Sequence, residues 1–185
     1  MRYISKTSRL QVLVVPLFLV SLLAATPSVS GIFVHIPNVP GDATVNGVPG
    51  QIEILSWSWR VTLEAIGSAN GGVWKTLNMV LPTTRATPKI LENFSAGRII
   101  EEVTLTNVID SLASDPGGSR HLIIRMKPVS IATYQTGGSS GDVVPTDQVS
   151  LNFNNIEFEY REIMGDGSVK FSVSGECEKP AQSSP

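Results

Sequence analysis

Scarcity sets the first bounds. The 185-residue chain has one cysteine, Cys177, so no disulfide can form within it and the fold must rest on its packed core. Nothing around that thiol in "SGECEKP" supplies a histidine, so it reads as an inert group near the C-terminus. There are two histidines, His35 and His121, far apart in separate apolar stretches. A zinc site needs clustered ligands, so no metal is expected. The glycines of 137–141 lack the Gly-Lys-Ser/Thr that completes a phosphate loop and read as a flexible connector. "GDGS" at 165–168 reads as a turn rather than a calcium loop. The sequon Asn93-Phe94-Ser95 falls inside a predicted helix and reads as chance. The residues therefore point to no catalytic, metal or cofactor site, and the chain reads as non-enzymatic.

Long apolar runs are also scarce. The one of note, "LQVLVVPLFLVSLLAA", holds roughly 16 residues, short of the ~20 that span a bilayer, so no stable membrane insertion is expected. Arg2, Lys6 and Arg9 precede it and the small residues of "TPSVSG" follow, the three parts of a secretory signal. Residues 1–30 are thus expected to be cleaved after Ser30, or as second choice after Ala25, giving a secreted or periplasmic protein. A start codon placed too early would instead leave the protein cytoplasmic before secretion. Residues 1–30 carry three of the 14 basic residues and no acidic one, so the remainder has 11 Lys+Arg against 16 Asp+Glu, net −5. With no Lys/Arg cluster, such a chain is not expected to bind nucleic acid.

What is plentiful from residue 31 onward is period-two alternation, β-branched residues and turns, the pattern of short antiparallel strands. "GIFVHI" predicts a first strand ended by Pro37, and "NVPGDATVNGVPG" a loop. "QIEILSWSWRVTLEA" predicts one long strand, with Leu55, Trp57, Trp59, Val61 and Leu63 on its apolar face and Ser56 and Ser58 on the other. Leu55, Trp57 and Trp59 are accordingly expected in a barrel core or an interface. "IGSANGG" breaks that strand and "VWKTLNMVL" resumes it. "TPKILENFSAG" predicts the one helix: Thr87 as cap, Pro88 in the first turn, Ile90, Leu91 and Phe94 on one face, and Gly97 at the end. Further strands are expected at "IIEEVTLTNVI", "SRHLIIRMKPVSIATYQT", "QVSLNFNNIEFEYREI" and "SVKFSVSGEC". "SDPGG" and "GDG" supply hairpin turns, the latter a tight primed turn through Asp166-Gly167. One mainly β domain over residues 31–178, a barrel or sandwich flanked by a helix, with a flexible tail over 179–185, is the expected organisation.

Four segments, in order, resemble the Hcp (haemolysin-coregulated protein) family, the tube subunits of the bacterial type VI secretion system. They are "EILSWSWRV", "ATPKILENFSAGRIIEEVTL", "SIATYQTGGSSGDVVPTDQVSLNFNNIEFEY" and "GSVKFSVSGECEKP". The stretch "LPTTRATPK" departs from the family pattern, with proline and threonine where phenylalanine and lysine are usual. The resemblance implies an Hcp-like β-barrel of two antiparallel sheets with one lateral α-helix, a homohexameric ring, and rings stacked into a hollow tube that carries effectors. It implies a VgrG-like spike and secreted effectors as partners. It also implies that the excursion Ile66, Gly67, Ser68, Ala69, Asn70, Gly71, Gly72 and Val73 reaches the neighbouring ring. Tube subunits assemble in the cytoplasm and need no secretory signal, so the basic and apolar start raises an alternative: an Hcp-fold binding or adhesion module, exported and independent of the secretion apparatus.

Overall fold

In the computed structural model the described residues are 30–44, 48–62, 72–109, 118–141 and 143–180. Their strands, in chain order, are β1 (Gly31–His35), β2 (Ile52–Ile54), β3 (Ser56–Ser58), β4 (Val61–Thr62), β5 (Val73–Trp74) and β6 (Leu77–Pro82). After helix α1 (Thr87–Ser95) come β7 (Ile99–Ile100), β8 (Val103–Ile109), β9 (Ser119–Gly137), β10 (Thr146–Ile163) and β11 (Val169–Glu178). Nine strands form one antiparallel sheet in the order β2-β1-β8-β9-β10-β6-β3, with β7 added to β9 and β11 to β10. β4 and β5 form a separate two-stranded ribbon. The signal segment falls outside the described residues except for Ser30.

Leu55 shapes this sheet. β2 and β3 lie at opposite ends of the hydrogen-bonded path, yet Leu55 alone separates them in the chain. Seven flat strands at about 4.8 Å spacing would hold the ends about 29 Å apart, whereas one intervening residue bridges about 7 Å. The sheet must therefore curl until its ends meet, and Leu55 N–H donates to Val80 O across the join at 2.7 Å. The expected barrel of two sheets is realised as this one curled sheet plus the small ribbon. Leu55 also reverses the side-chain parity: Ile52 and Ile54 are buried before it, Trp57 and Trp59 pack against the core after it, and Leu55 itself is 58% exposed. The predicted single strand with Leu55, Trp57, Trp59, Val61 and Leu63 on a shared face is thus three strands: β2 and β3, of opposite parity about Leu55, and β4, where Val61 is exposed; Leu63 lies outside the described residues.

The core lies inside the curl and includes Val34, Leu77, Leu81, Leu105, Ile124, Met126, Leu151 and Ile156. β9 and β10 both change the face they bury near residues 127–128 and 154–155: Val149, Leu151 and Phe153 point inward on one side, Ile156 on the other. Pro128 sits at this bend. On one edge of β9 it falls between the ladder to β8, which ends at Met126, and the ladder to β7, which begins at Val129. A residue without N–H is tolerated there. A second, small cluster of Phe33, Val48 and Val108 with Ala43 tucks part of the 37–51 loop against the sheet.

Helix α1 buries Ile90 but leaves Leu91 and Phe94 substantially exposed, so the face predicted for all three is only partly sunk. Its N-cap is Ala86, without a side-chain bond. Thr87, predicted as the cap, is instead the first helical residue: its hydroxyl accepts from Thr84 N–H and donates to Asp147 Oδ2 at 2.5 Å. Gly97 ends the helix as expected. At φ 58° it lets Gly97 N–H reach Phe94 O and Arg98 N–H reach Asn93 O, a Schellman closure. The 165–167 turn differs from the primed form expected. Gly167 N–H bonds Met164 O, Met164 N–H bonds Ser168 O, and only Gly167 has positive φ, so this is a three-residue loop with a glycine bulge. The "SDPGG" turn lies outside the described residues except for Gly118.

Candidate assembly surfaces

Three features leave the curled sheet with unspent surface. The first is the ribbon of β4 and β5, which pairs Val61 with Trp74 and Thr62 with Val73 and so carries the chain away from the sheet and back. Of the excursion expected to reach a neighbour, Gly72 and Val73 form this ribbon's returning side. Ile66, Gly67, Ser68, Ala69, Asn70 and Gly71 lie outside the described residues. The root of the ribbon is aromatic. Trp59 meets Trp74 edge-on at 5.4 Å between ring centroids, Phe158 at 5.7 Å and Phe153 at 6.0 Å, while Trp74 meets Phe153 at 5.9 Å. The Trp59 indole N–H donates to Lys75 O at 3.0 Å, and Lys75 N–H donates to Arg60 O, so the two sides of the ribbon are bonded together where they leave the sheet.

Sequence reasoning singled out Trp59 and missed its three partners. Trp74 carried a signal: it is the third tryptophan and stands on the far side of the glycine-rich excursion. Phe153 and Phe158 are 79 or more residues downstream from it, and only the fold brings them in.

The second feature is β11. All ten of its residues are exposed. Val169, Phe171 and Val173 line one face at about half exposure, while Lys170, Ser172, Ser174 and Glu176 line the other. One edge of β11 pairs with β10, and among the described residues its other edge takes no strand. Cys177, at the end of the apolar row, is an exposed free thiol. The third feature is the exposed apolar set Leu91, Phe94 and Ile99 around the end of α1, with Phe94 resting against Tyr134 at 6.4 Å.

A charged cluster stiffens the sheet between these surfaces. Glu159 on β10 is buried on the face away from the core and receives Arg125 Nη2 from β9 at 2.9 Å, Arg161 Nε at 2.9 Å and Ser172 Oγ from β11 at 2.8 Å. Burial by itself raises the pKa of this carboxyl, but the bonds from Arg161, Ser172 and Arg125 outweigh it and hold the group at about 2. One carboxylate therefore ties three strands together. Nearby, Arg125 also reaches Glu157 at 3.3 Å. His121 pairs with Ser119 at 2.9 Å, and burial followed by the charge of Arg161 lowers its pKa. His35 is exposed on β1, away from it. Among the described residues no three His, Cys, Asp or Glu side chains come close enough to hold a metal, and no helix is long and apolar enough to cross a membrane.

Residues 33–160 match the family model described as type VI secretion system effector, Hcp. Among curated proteins, Protein hcp1 of Pseudomonas aeruginosa is 26% identical over 142 residues, covering 74% of this chain and 86% of that one. Among solved structures, Hcp1 from Salmonella typhimurium superposes with a TM-score of 0.61 at 21% identity, covering 80% of this chain and 94% of its own. A secreted protein, Hcp3 from Pseudomonas aeruginosa, gives 0.58 at 12% identity, with 82% and 97% covered. With a family model spanning most of the curled sheet and solved members sharing its fold, the chain belongs to the Hcp family of the type VI secretion system.

Proposed function

We propose that this protein is a non-catalytic structural subunit of the type VI secretion tube: six copies close into a ring, rings stack, and the hollow carries effectors. Beyond family membership, the observation that carries this reading is β11. A ten-residue strand with one edge that takes no strand among the described residues, and a row of half-exposed Val169, Phe171 and Val173, offers surface for a further copy, and edge strands of this kind are normally covered by a partner. A second copy of the same chain supplies that cover in a closed ring without inviting open-ended aggregation. The aromatic root at Trp59 gives the ribbon of β4 and β5 a fixed exit direction, which suits contact with the next ring. A VgrG-like spike and secreted effectors are the partners that follow from this role. Size exclusion with native mass spectrometry tests it: a six-copy species is expected, and a clean monomer at tens of micromolar contradicts it.

The basic and apolar start of the chain favours a second reading, an exported Hcp-fold binding or adhesion module. Fusing residues 1–30 to a reporter active only in the periplasm separates the two. Robust activity favours the exported module, and silence favours cytoplasmic assembly.

A further inference from the structure

In a six-copy ring each contact joins two different patches, so nothing requires one strand to match itself. β11 nevertheless does. From Val169 to Cys177 it runs "VKFSVSGEC". An antiparallel second copy centred on Val173 sets Lys170 opposite Glu176, Phe171 opposite Gly175 and Ser172 opposite Ser174. We propose that two copies pair β11 to β11 about a two-fold axis at Val173, and that this pair covers the edge until other copies displace it in a ring. The surface is the one the ring reading uses, but the pairing rests on the strand itself and stands without the ring.

The backbone limits the registers. Lys179 N–H donates to Asn154 O at 2.7 Å, in step with the ladder between β10 and β11. Bonded pairs in an antiparallel ladder recur at every second residue, so Cys177, Gly175, Val173 and Phe171 turn their backbone groups toward β10. Ser172, Ser174 and Glu176 turn theirs to the other edge, where no strand lies among the described residues. The register shift at Glu162/Ile163 comes after Phe171, so this stretch is regular. A second strand must therefore set even residues against even ones. Centring on Val173 does so, with Ser172 and Ser174 exchanging backbone bonds on both sides of the axis.

The side chains select this register among those allowed. On the apolar face Val173 meets its own copy at a position without backbone bonds, where side chains come closest. Phe171 rests on Tyr160 at 6.4 Å between centroids and stays half exposed, and a Cβ added at Gly175 meets no atom within 4 Å. A ring lying across from a strand glycine shields the backbone that glycine leaves bare. On the other face Lys170 lies 3.8 Å from Glu162 and Glu176 lies 3.5 Å from Lys127, each with its side chain still half exposed. Opposed across the axis, they supply two attractive pairs. Centring on Ser172 or Ser174 instead sets Phe171 against Val173 or Cys177 and takes Glu176 away from Lys170.

Disulfide trapping tests the axis. Cys177→Ala with Val173→Cys places two thiols on it, with Cα atoms about 4.5 Å apart and within disulfide reach. In the wild type the two Cys177 thiols would lie about 27 Å apart along the strands, at ~3.4 Å per residue. With oxidised glutathione and about 10 µM protein, the double variant is expected to form a linked dimer about 100-fold faster than the wild type, the ratio of a millimolar effective concentration to that of free protein. Equal rates, or a faster wild type, overturn the pairing. Sedimentation on dilution tests the charges: Lys170→Glu should weaken the dimer about 10-fold, since two attractive pairs turn repulsive, and adding Glu176→Lys should restore it. A double charge variant as weak as the single one overturns the proposal. The thiol experiment uses neither charge variant, so it decides even if one of them fails to fold. Diluted rings are expected to give two-copy species before single copies. Direct passage from six copies to one overturns this pairing and leaves the tube role, whereas two-copy species with no rings overturn the tube role and leave this pairing.

Discussion

Replacing Trp59 is the sharpest perturbation of the fold described above. Its indole is partly buried, and roughly half of a tryptophan's ~200 Å² leaves water there, about 2.5 kcal/mol at ~25 cal/mol per Å². The N–H bond to Lys75 O adds about 1 kcal/mol. Trp59→Ala should therefore cost about 3 to 4 kcal/mol, with the larger share in contacts to Trp74, Phe153 and Phe158. Trp59→Phe keeps a ring in place and loses the N–H bond, so it should cost about 1 kcal/mol plus whatever ring area phenylalanine fails to cover. Urea unfolding followed by far-UV circular dichroism reads both, at a protein concentration where wild type and variants share one oligomeric state. Leu55→Ala is the internal control: exposed in the protomer, it should change protomer stability by no more than about 0.5 kcal/mol. A loss below about 1 kcal/mol for Trp59→Ala, or a loss for Leu55→Ala as large as for Trp59→Ala, would refute the parity reversal and the aromatic root together.

The remaining predictions concern polar and backbone groups. Glu159 is held at about 2, below its ordinary 4.5, so its contribution is fully present above about pH 4.5 and is lost as pH falls toward 2. That contribution is at most about 3 kcal/mol, and Glu159→Gln should flatten this acid limb in unfolding measured from pH 6 to pH 2. His121, lowered by burial and Arg161, contributes in the same sense: stability is present above its ordinary 6.5 and falls as pH drops below it. His121→Phe should reduce the pH dependence between pH 7 and pH 5. Asp147 is fully buried and accepts from the hydroxyls of Thr83 and Thr87. Asp147→Ala should cost about 3 kcal/mol and expose the amides of α1 to hydrogen exchange, with Asp147→Asn costing less. Gly97→Ala meets no atom within 4 Å, so its cost should be the backbone strain at φ 58° alone, about 1 kcal/mol by thermal unfolding.

Much of this architecture was legible in local pattern. The Thr87-Pro88 start and Gly97 end bound the helix, and the alternating runs mark the strands. The Leu55 reversal was written in the sequence as well, since adjacent Ile54 and Leu55 separate apolar residues at even positions, 52 and 54, from those at odd ones, 57 and 59. A single strand can absorb that only through an irregularity, and the irregularity is where the curled sheet joins. The three-residue turn was likewise available, because a glycine third in the loop suits a bulged hairpin. Thr87's true partner was not legible. A buried carboxylate 60 residues downstream outcompetes the local cap, and nothing in "ATPK" announces it. The same holds for Phe153 and Phe158, whose meeting with Trp59 depends on the register of β10. Assembly surfaces are hardest to read, because an exposed valine row on β11 looks in sequence like any half-buried strand.

The central claim is that β11 and the ribbon are surfaces made to be covered by further copies of this chain. Electron microscopy of the purified protein tests it most directly. Hollow rings of six are predicted, and Phe171→Glu, placed in the middle of the exposed row, should reduce them to folded protomers. A field of monomers from the unaltered protein, or rings that persist unchanged in Phe171→Glu, would contradict the account.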